Sequence, residues 1–175
     1  MKLGAVIAAI AMAASLPLVA GCGFTPLYAT PGVTPNLSAI EVITPQGRTG
    51  HLLAEDLRDE LGLNRSEVTR YKLNLALDEV RYPRGLQVED VASWYELSVK
   101  VSYSLVDIAS GETVTAGLVP VNVSYNAVRD PYAGVVAQQD GQKRAAREAA
   151  MRLRLELSRF FAERGGPTPP PAPGA

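Results

Sequence analysis

The sequence is poor in the residue types that chemistry at a protein site most often requires. Among 175 residues it has one cysteine, one histidine and one tryptophan, and its formal net charge is -1. A single cysteine excludes an internal disulfide, and a nearly neutral chain has no bulk affinity for nucleic acid. Hydrophobic residues make up 47% and charged residues 20% of the chain, which is typical of a globular protein with a core.

Sequence signatures of catalysis are also missing. His51, the only histidine, has no second metal-type ligand near it in sequence, so a position on a helix surface is the simpler interpretation. The chain has no Gly-rich phosphate loop and no Gly-x-Ser-x-Gly elbow. The acidic residues Asp56, Asp59 and Glu60 fill the polar side of an amphipathic helix. We therefore expect no enzyme activity, no metal and no cofactor.

The N-terminus has the features of an export signal. Lys2 precedes an apolar run over 3–20, whose length would also permit a membrane span. Pro17 interrupts the run, and residues 19–22, Val-Ala-Gly-Cys, resemble the bacterial lipobox. We expect cleavage after residue 21 and acylation of Cys22 by a diacylglycerol and an N-acyl chain. The alternative is a free exported thiol.

The two ends of the mature chain are not expected to join the core. Several acyl chains on Cys22 would anchor the protein to a membrane stably, since each buried methylene contributes about 0.8 kcal/mol. Gly23 follows where an aspartate would mark inner-membrane retention, which indicates the periplasmic side of the outer membrane. The expected organisation is a signal peptide at 1–21, a lipidated tether at 22–35, one domain at 36–164 and a disordered Pro-rich tail at 165–175.

Within the domain, the spacing of apolar residues switches between periods of two and about four. The alternating segments read as half-buried strands, and Leu53, Leu57 and Leu61 place an apolar stripe on one side of a helix. The segments are strands at 38–44, 70–81 and 94–107, a hairpin turn at 109–112, a return strand to Tyr125, and helices at 49–62 and 131–163. They predict an α+β, two-layer fold in which two helices pack on one face of a four-stranded mixed sheet, in the order β-α-β-β-β-α.

The last predicted helix has a strong start signal, but its apolar pattern is interrupted in the middle. Asp130 can cap free amides, and Pro131 needs no donor in the first turn. The polar residues at 139–142, which include Gly141, interrupt the apolar stripe, so a kinked helix or two abutting helices would both fit. The stripe consists of Tyr132, Val135, Val136, Ala146, Ala150, Leu153, Leu157, Phe160 and Phe161.

Residues 22–28, Cys-Gly-Phe-Thr-Pro-Leu-Tyr, resemble the mature N-terminus of the alphaproteobacterial LptE lipoproteins. The similarity continues through 95–107, Gly111, 124–125 and 131–133, and so covers essentially all of the mature domain. The resemblance implies a strand-helix-strand-strand-strand-helix fold and a role without a reaction. LptE plugs the outer-membrane barrel LptD, assists its assembly and helps deliver lipopolysaccharide to the outer leaflet.

The resemblance also implies a lipopolysaccharide ligand. Arg81 and Arg84, which flank Pro83 at the predicted strand end, are the candidates, because arginine forks match phosphate geometry. Two arginines beside a turn would equally suit a solvated surface. A second basic set on the last helix is mixed with glutamates, which favours a solvated face. Its members are Arg144, Arg147, Arg152, Arg154 and Arg159.

Other interpretations stay open. The polar side of the predicted sheet, which includes Lys72, Glu96 and Lys100, would suit either water or the hydrophilic wall of a barrel lumen. A rival function is a stand-alone periplasmic lipid-binding carrier, which would need an enclosed apolar cavity. The aromatic residues fit core or cross-strand packing better than a stacking surface for sugars or bases. They are Trp94, Tyr95, Tyr103 and Tyr125.

Overall fold

A computed structural model describes residues 33–62, 68–86, 92–126 and 130–165. The predicted signal peptide, Cys22 and the tail beyond Gly165 lie outside the described residues. The described elements follow one another as helix, strand, helix, three strands and helix. They are α1 (Val33–Ser38), β1 (Ile40–Val42), α2 (Arg48–Leu61), β2 (Tyr71–Leu86), β3 (Ala92–Asp107), β4 (Thr113–Asn126) and α3 (Pro131–Gly165).

The four strands form one mixed sheet in the order β1-β2-β3-β4, which confirms the predicted fold class. β1 runs parallel to β2, with α2 as the connection between them, and the other neighbours are antiparallel. The hairpin turn closes with the amide of Gly111 donating to the Asp107 carbonyl at 2.8 Å. Pro120 lies in β4, the edge strand, where its missing N–H leaves no gap inside the sheet.

The core lies between one face of the sheet and the helices α2 and α3. Leu53, Leu57 and Leu61 are buried as their spacing predicts. The buried part of α3 begins at Gly141, and its small residues allow close packing on α2 and the sheet. The buried apolar residues of α3 are Ala145, Ala146, Ala149, Ala150, Leu153, Leu157 and Phe161.

The helix ends follow local sequence signals. The Asp130 carboxylate accepts a hydrogen bond from the Ala133 amide at 2.9 Å, which caps α3 as predicted. Gly62 ends α2 in the left-handed conformation, with φ of 63°, and its amide donates to the carbonyls of Arg58 and Asp59. α3 is a single helix through Gly141, so the alternative of two abutting helices is wrong.

The structure corrects three expectations about the elements. Residues 33–35 were assigned to the tether but open α1, because Pro35 falls in the first helical turn, where no amide donor is needed. β2 continues beyond residue 81 to Leu86, through Pro83 and Gly85.

In the described residues, no helix combines the length and the apolar character that crossing a bilayer demands.

The third correction concerns the start of α3. Tyr132, Val135 and Val136 belong to the predicted apolar stripe, but they are 80%, 52% and 50% exposed. Their spacing puts them on one side of the helix, as predicted, but α2 and the sheet pack only against later turns of α3. Periodicity identifies a helix face without showing how far along the helix that face has a partner.

Candidate functional site

One side of the sheet carries no helix in the part of the chain that the structure describes. In β3, buried Val99 and Val101 point toward α2 and α3, so Lys100 and Ser102 between them point the other way. We call this second side the open face. It comprises Lys72, Asn74, Ala76, Asp78, Val80, Tyr82 and Arg84 of β2, Trp94, Glu96, Ser98, Lys100, Ser102 and Ser104 of β3, and Ala116, Leu118, Pro120, Asn122 and Ser124 of β4.

The strand register arranges the open face in rows across three strands. Asp78 lies opposite Lys100, and Lys100 lies opposite Pro120, so the middle row carries one charge of each sign. The rows on either side consist of uncharged side chains. They are Ala76, Ser102 and Leu118 on one side and Val80, Ser98 and Asn122 on the other. The result is a broad surface of small polar and apolar groups, which suits contact with a large partner.

The two predicted ligand residues do not form one site. Arg84 lies on the open face, where its Nε donates to Glu96 Oε2 at 2.9 Å and its guanidinium lies 5.5 Å from the Tyr82 ring centre. Arg81 lies on the helix side, with its guanidinium 4.8 Å from the Tyr95 ring centre. Both were expected at a strand end because of Pro83, but β2 runs through them to Leu86. Because they are three residues apart in a strand, they point to opposite faces.

The residues weighed for catalysis all lie on α2. His51 is exposed on α2, and Glu60 forms an ion pair with Arg154 at 2.7 Å. Burial raises the pKa of the Asp56 carboxyl above its usual value, while the nearby Arg147 acts in the opposite direction. Within the described ranges, no three histidine, cysteine or acidic residues come together as a metal site would require.

A cleft of about 480 Å³ lies between α1, the end of α2 and α3. Asp59, Glu60 and Arg154 line it together with Leu37 and Leu61. A cleft with three charged side chains in its wall does not suit an acyl chain, because taking charged groups out of water next to hydrocarbon is costly. This cleft therefore gives no support to the carrier function.

The four aromatic residues do not share a surface. Tyr95 and Tyr125 pack together on the helix side, with ring centres 5.6 Å apart. Tyr103 covers Gly117, where an added Cβ would come within 2.8 Å of the phenol oxygen. Trp94 lies alone on the open face, opposite Asn126. Three of the four are therefore packing residues, in agreement with the simpler interpretation.

The arginines of α3 are mostly neutralised by neighbouring carboxylates. Arg144 pairs with Asp140, and Arg152 pairs with Glu148, each one turn apart on the helix surface. Arg159 lies 3.5 Å from a Glu156 oxygen. These pairs indicate a solvated helix face and not an anion site.

A family model for lipopolysaccharide assembly, LptE, matches residues 36–159. The chain is also similar to a lipoprotein of known structure from Caulobacter crescentus, with 40% sequence identity and a TM-score of 0.67. That similarity covers 78% of this chain and 99% of the other. None of the curated proteins compared with the chain matches it.

Two more distant structures share the fold. Rare lipoprotein B from Shewanella oneidensis is 15% identical, with a TM-score of 0.55 over 71% of this chain and 97% of its own. A minor lipoprotein from Acinetobacter baumannii is 13% identical, with a TM-score of 0.52 over 70% and 92% of the two chains. At these identities the similarity describes the backbone arrangement alone.

Proposed function

Because the chain belongs to the lipopolysaccharide-assembly family LptE, we propose that it is a non-catalytic outer-membrane lipoprotein that plugs the LptD barrel. In this role it assists assembly of the barrel and delivery of lipopolysaccharide to the outer leaflet. The protein acts by contact with other molecules and not by a chemical reaction. The ion pair of Glu60 with Arg154 and the exposed position of His51 on α2 fit this part of the proposal.

The open face is the observation that carries the proposal. β2 and β3 are each 16 residues long, so this face extends about 50 Å along the strands. Its middle rows offer hydroxyl and amide groups, with Asp78 and Lys100 opposite each other in the strand register. The lumen of a large outer-membrane barrel is polar and wet, and a surface of this chemistry can lie against it without desolvating many charges.

Membrane attachment is part of the same proposal. Acylation of Cys22 by a diacylglycerol and an N-acyl chain would tie the domain to the periplasmic side of the outer membrane. The first described element begins at Val33, so the modified residue precedes every element that the structure describes. Acylation therefore leaves the domain free to adopt its fold before it meets the barrel.

Contact with lipopolysaccharide is assigned to Arg81 and Arg84 at the end of the sheet away from β1. Both side chains are exposed, and both lie beside tyrosine rings that orient their guanidinium groups. Because they point to opposite faces, each would meet a different phosphate. Arg84 must exchange Glu96 for its ligand, whereas Arg81 donates to the uncharged Gln138 amide oxygen at 3.2 Å.

Co-purification tests the partnership. Tagged full-length protein, extracted from its own envelope in mild detergent, should bring down one large barrel protein at near-equal amounts. Ser102→Arg on the open face should lower the yield of the barrel. Ser110→Arg, a matched serine in the exposed hairpin turn, should not. Recovery of bound lipid without any barrel would instead favour the stand-alone carrier.

A further inference from the structure

Two aliphatic side chains are exposed at the end of the sheet where β2 begins and β3 ends. Val68 is 89% exposed and Ile108 is 49% exposed. The Ile108 amide donates to the Arg70 carbonyl at 3.0 Å, and the Arg70 amide donates to the Ala39 carbonyl at 2.8 Å. These bonds place Ile108 and Arg70 close to Ala39, the residue that follows α1, and Val68 lies two residues before Arg70. We call this part of the molecule the α1 end.

The α1 end also carries two arginines that lie against a row of packed aromatic rings. The Arg70 guanidinium lies 5.3 Å from the Tyr71 ring centre, and the Tyr71 ring lies 5.3 Å from that of Phe161. Phe161 packs on Phe160, whose ring carries Arg164 at 4.9 Å. Among the described residues, neither arginine has a carboxylate partner. Both guanidinium groups can therefore take phosphate oxygens without breaking an ion pair.

The chain length before the fold decides which end of the domain can face the anchoring leaflet. Eleven residue steps separate Cys22 from Val33, and they span at most about 40 Å when fully extended. The 16 residues of β2 correspond to about 50 Å along the sheet. If the opposite end of the sheet lay against the leaflet, the segment between Cys22 and Val33 would be too short to reach the acyl chains. An acylated Cys22 therefore holds the α1 end nearer the membrane.

We propose that, before the domain enters the barrel, the α1 end binds the phospholipid leaflet that holds the acyl chains. Val68 and Ile108 enter the boundary between headgroups and acyl chains, and Arg70 and Arg164 contact lipid phosphates. The inference rests on acylation of Cys22 in the proposed function. Exposed aliphatic residues beside arginines and aromatic rings form the combination that proteins place at membrane interfaces.

Acidic residues at the same end limit the role of net charge. Glu112 and Glu163 are exposed, while the Asp107 carboxylate accepts the amides of Ala109 and Ser110 within the turn. The three carboxylates thus outnumber the two arginines, and the contact depends mainly on the aliphatic side chains. It should persist at high salt, where binding through surface charge alone is screened.

Fluorescence quenching by spin-labelled lipid tests the contact. Cys22 is the only cysteine and is blocked once acylated, so a cysteine introduced elsewhere can be labelled alone. The acylated full-length protein carries an environment-sensitive dye at Ile108→Cys, in vesicles of phosphatidylethanolamine and phosphatidylglycerol. Val136→Cys is the matched control, because Val136 is 50% exposed and lies at the other end of the sheet. We expect the emission of the dye at 108 to shift to shorter wavelength in these vesicles, and spin-labelled lipid should then quench most of it. The emission of the dye at 136 should change little in either measurement.

Three other outcomes overturn the inference. Acylated protein whose dye at 108 is not quenched removes the membrane contact and leaves the anchor in place. A shift to shorter wavelength without quenching by lipid means that another protein copy covers the α1 end. Mass spectrometry of the same sample reports acylation separately, and an unmodified Cys22 overturns both the inference and the proposed anchor.

Discussion

The ring of Tyr125 packs directly on Gly141, so closely that a Cβ on this glycine would lie 3.0 Å from the ring carbon Cδ1. Tyr125 is at the end of β4 and Gly141 is one third of the way along α3. The glycine that interrupts the apolar pattern of the last helix is therefore its first buried residue, where the helix lies directly on the sheet. Its missing side chain allows the close approach of the two elements.

Gly141→Ala should destabilise the domain. Alanine improves helix propensity by up to about 1 kcal/mol, but overpacking a fixed ring costs about 1–3 kcal/mol. Tyr125 cannot move away easily because its ring also packs against Tyr95. We expect a net loss of about 1 kcal/mol in urea unfolding. In a Tyr125→Leu background the loss should vanish, and an equal loss in both backgrounds would contradict the packing explanation.

Thr49→Val should weaken the junction between α2, β2 and α3. The buried Thr49 hydroxyl donates to Glu79 Oε2 at 2.5 Å, and Gln142 Nε2 donates to Glu79 Oε1 at 2.8 Å. Loss of a hydrogen bond to a charged group costs about 1.5–3 kcal/mol. Thr44→Val, which removes an exposed bond from Arg58, should cost less than about 1 kcal/mol. Equal unfolding free energies for the two variants would show that Glu79 does not hold these elements together.

Asp56→Asn should stabilise the protein at neutral pH. Burial, the largest cause, raises the pKa of Asp56 in the folded state above its usual 3.8, so the folded protein disfavours the carboxylate. The unfavourable contribution disappears as the pH falls through the raised pKa and the carboxyl becomes protonated. The advantage of the variant over the natural protein should therefore shrink between neutral pH and pH 4. Thermal unfolding across this range measures it, and a variant less stable at neutral pH would mean that attraction to Arg147 dominates.

Arg81→Ala and Arg84→Ala together should weaken lipopolysaccharide binding by about tenfold or more, with the fold unchanged. Arg159→Ala is the control, because Arg159 is exposed and paired with Glu156 on α3. Glu96→Gln should strengthen binding, since it releases Arg84 from its carboxylate. Titration with purified lipopolysaccharide, with circular dichroism for the fold, measures all three. Unchanged affinity in the double variant would remove the ligand assignment and leave the partner role standing.

The strands and α2 could be predicted because one side of each is buried. Alternation through Leu97, Val99 and Val101, and the four-residue spacing of Leu53 and Leu57, follow directly from that burial. The α1 helix could not be predicted, since Pro35 signals a breaker unless it is known to occupy a first turn. Val33, fully buried, is the residue that ties α1 to the core.

The candidate site was only partly visible in the sequence. Lys100 and Ser102 could be assigned to a polar face from alternation alone. Placing Arg81 and Arg84 on opposite faces required knowing that β2 continues past Pro83. Side chains alternate between the two faces of a strand, so residues three apart point in opposite directions. The exposure of Tyr132 and Val136 depends on where α3 leaves the sheet, and no local pattern encodes that position.

Site-specific photocrosslinking from the open face tests the central claim most directly. A photoreactive amino acid at Ser102 should form an adduct with a large outer-membrane barrel in living cells, and the same residue at Ser110 in the hairpin turn should not. Adducts from Ser110 alone, or no barrel adduct from Ser102 while the protein is acylated and folded, would contradict the account.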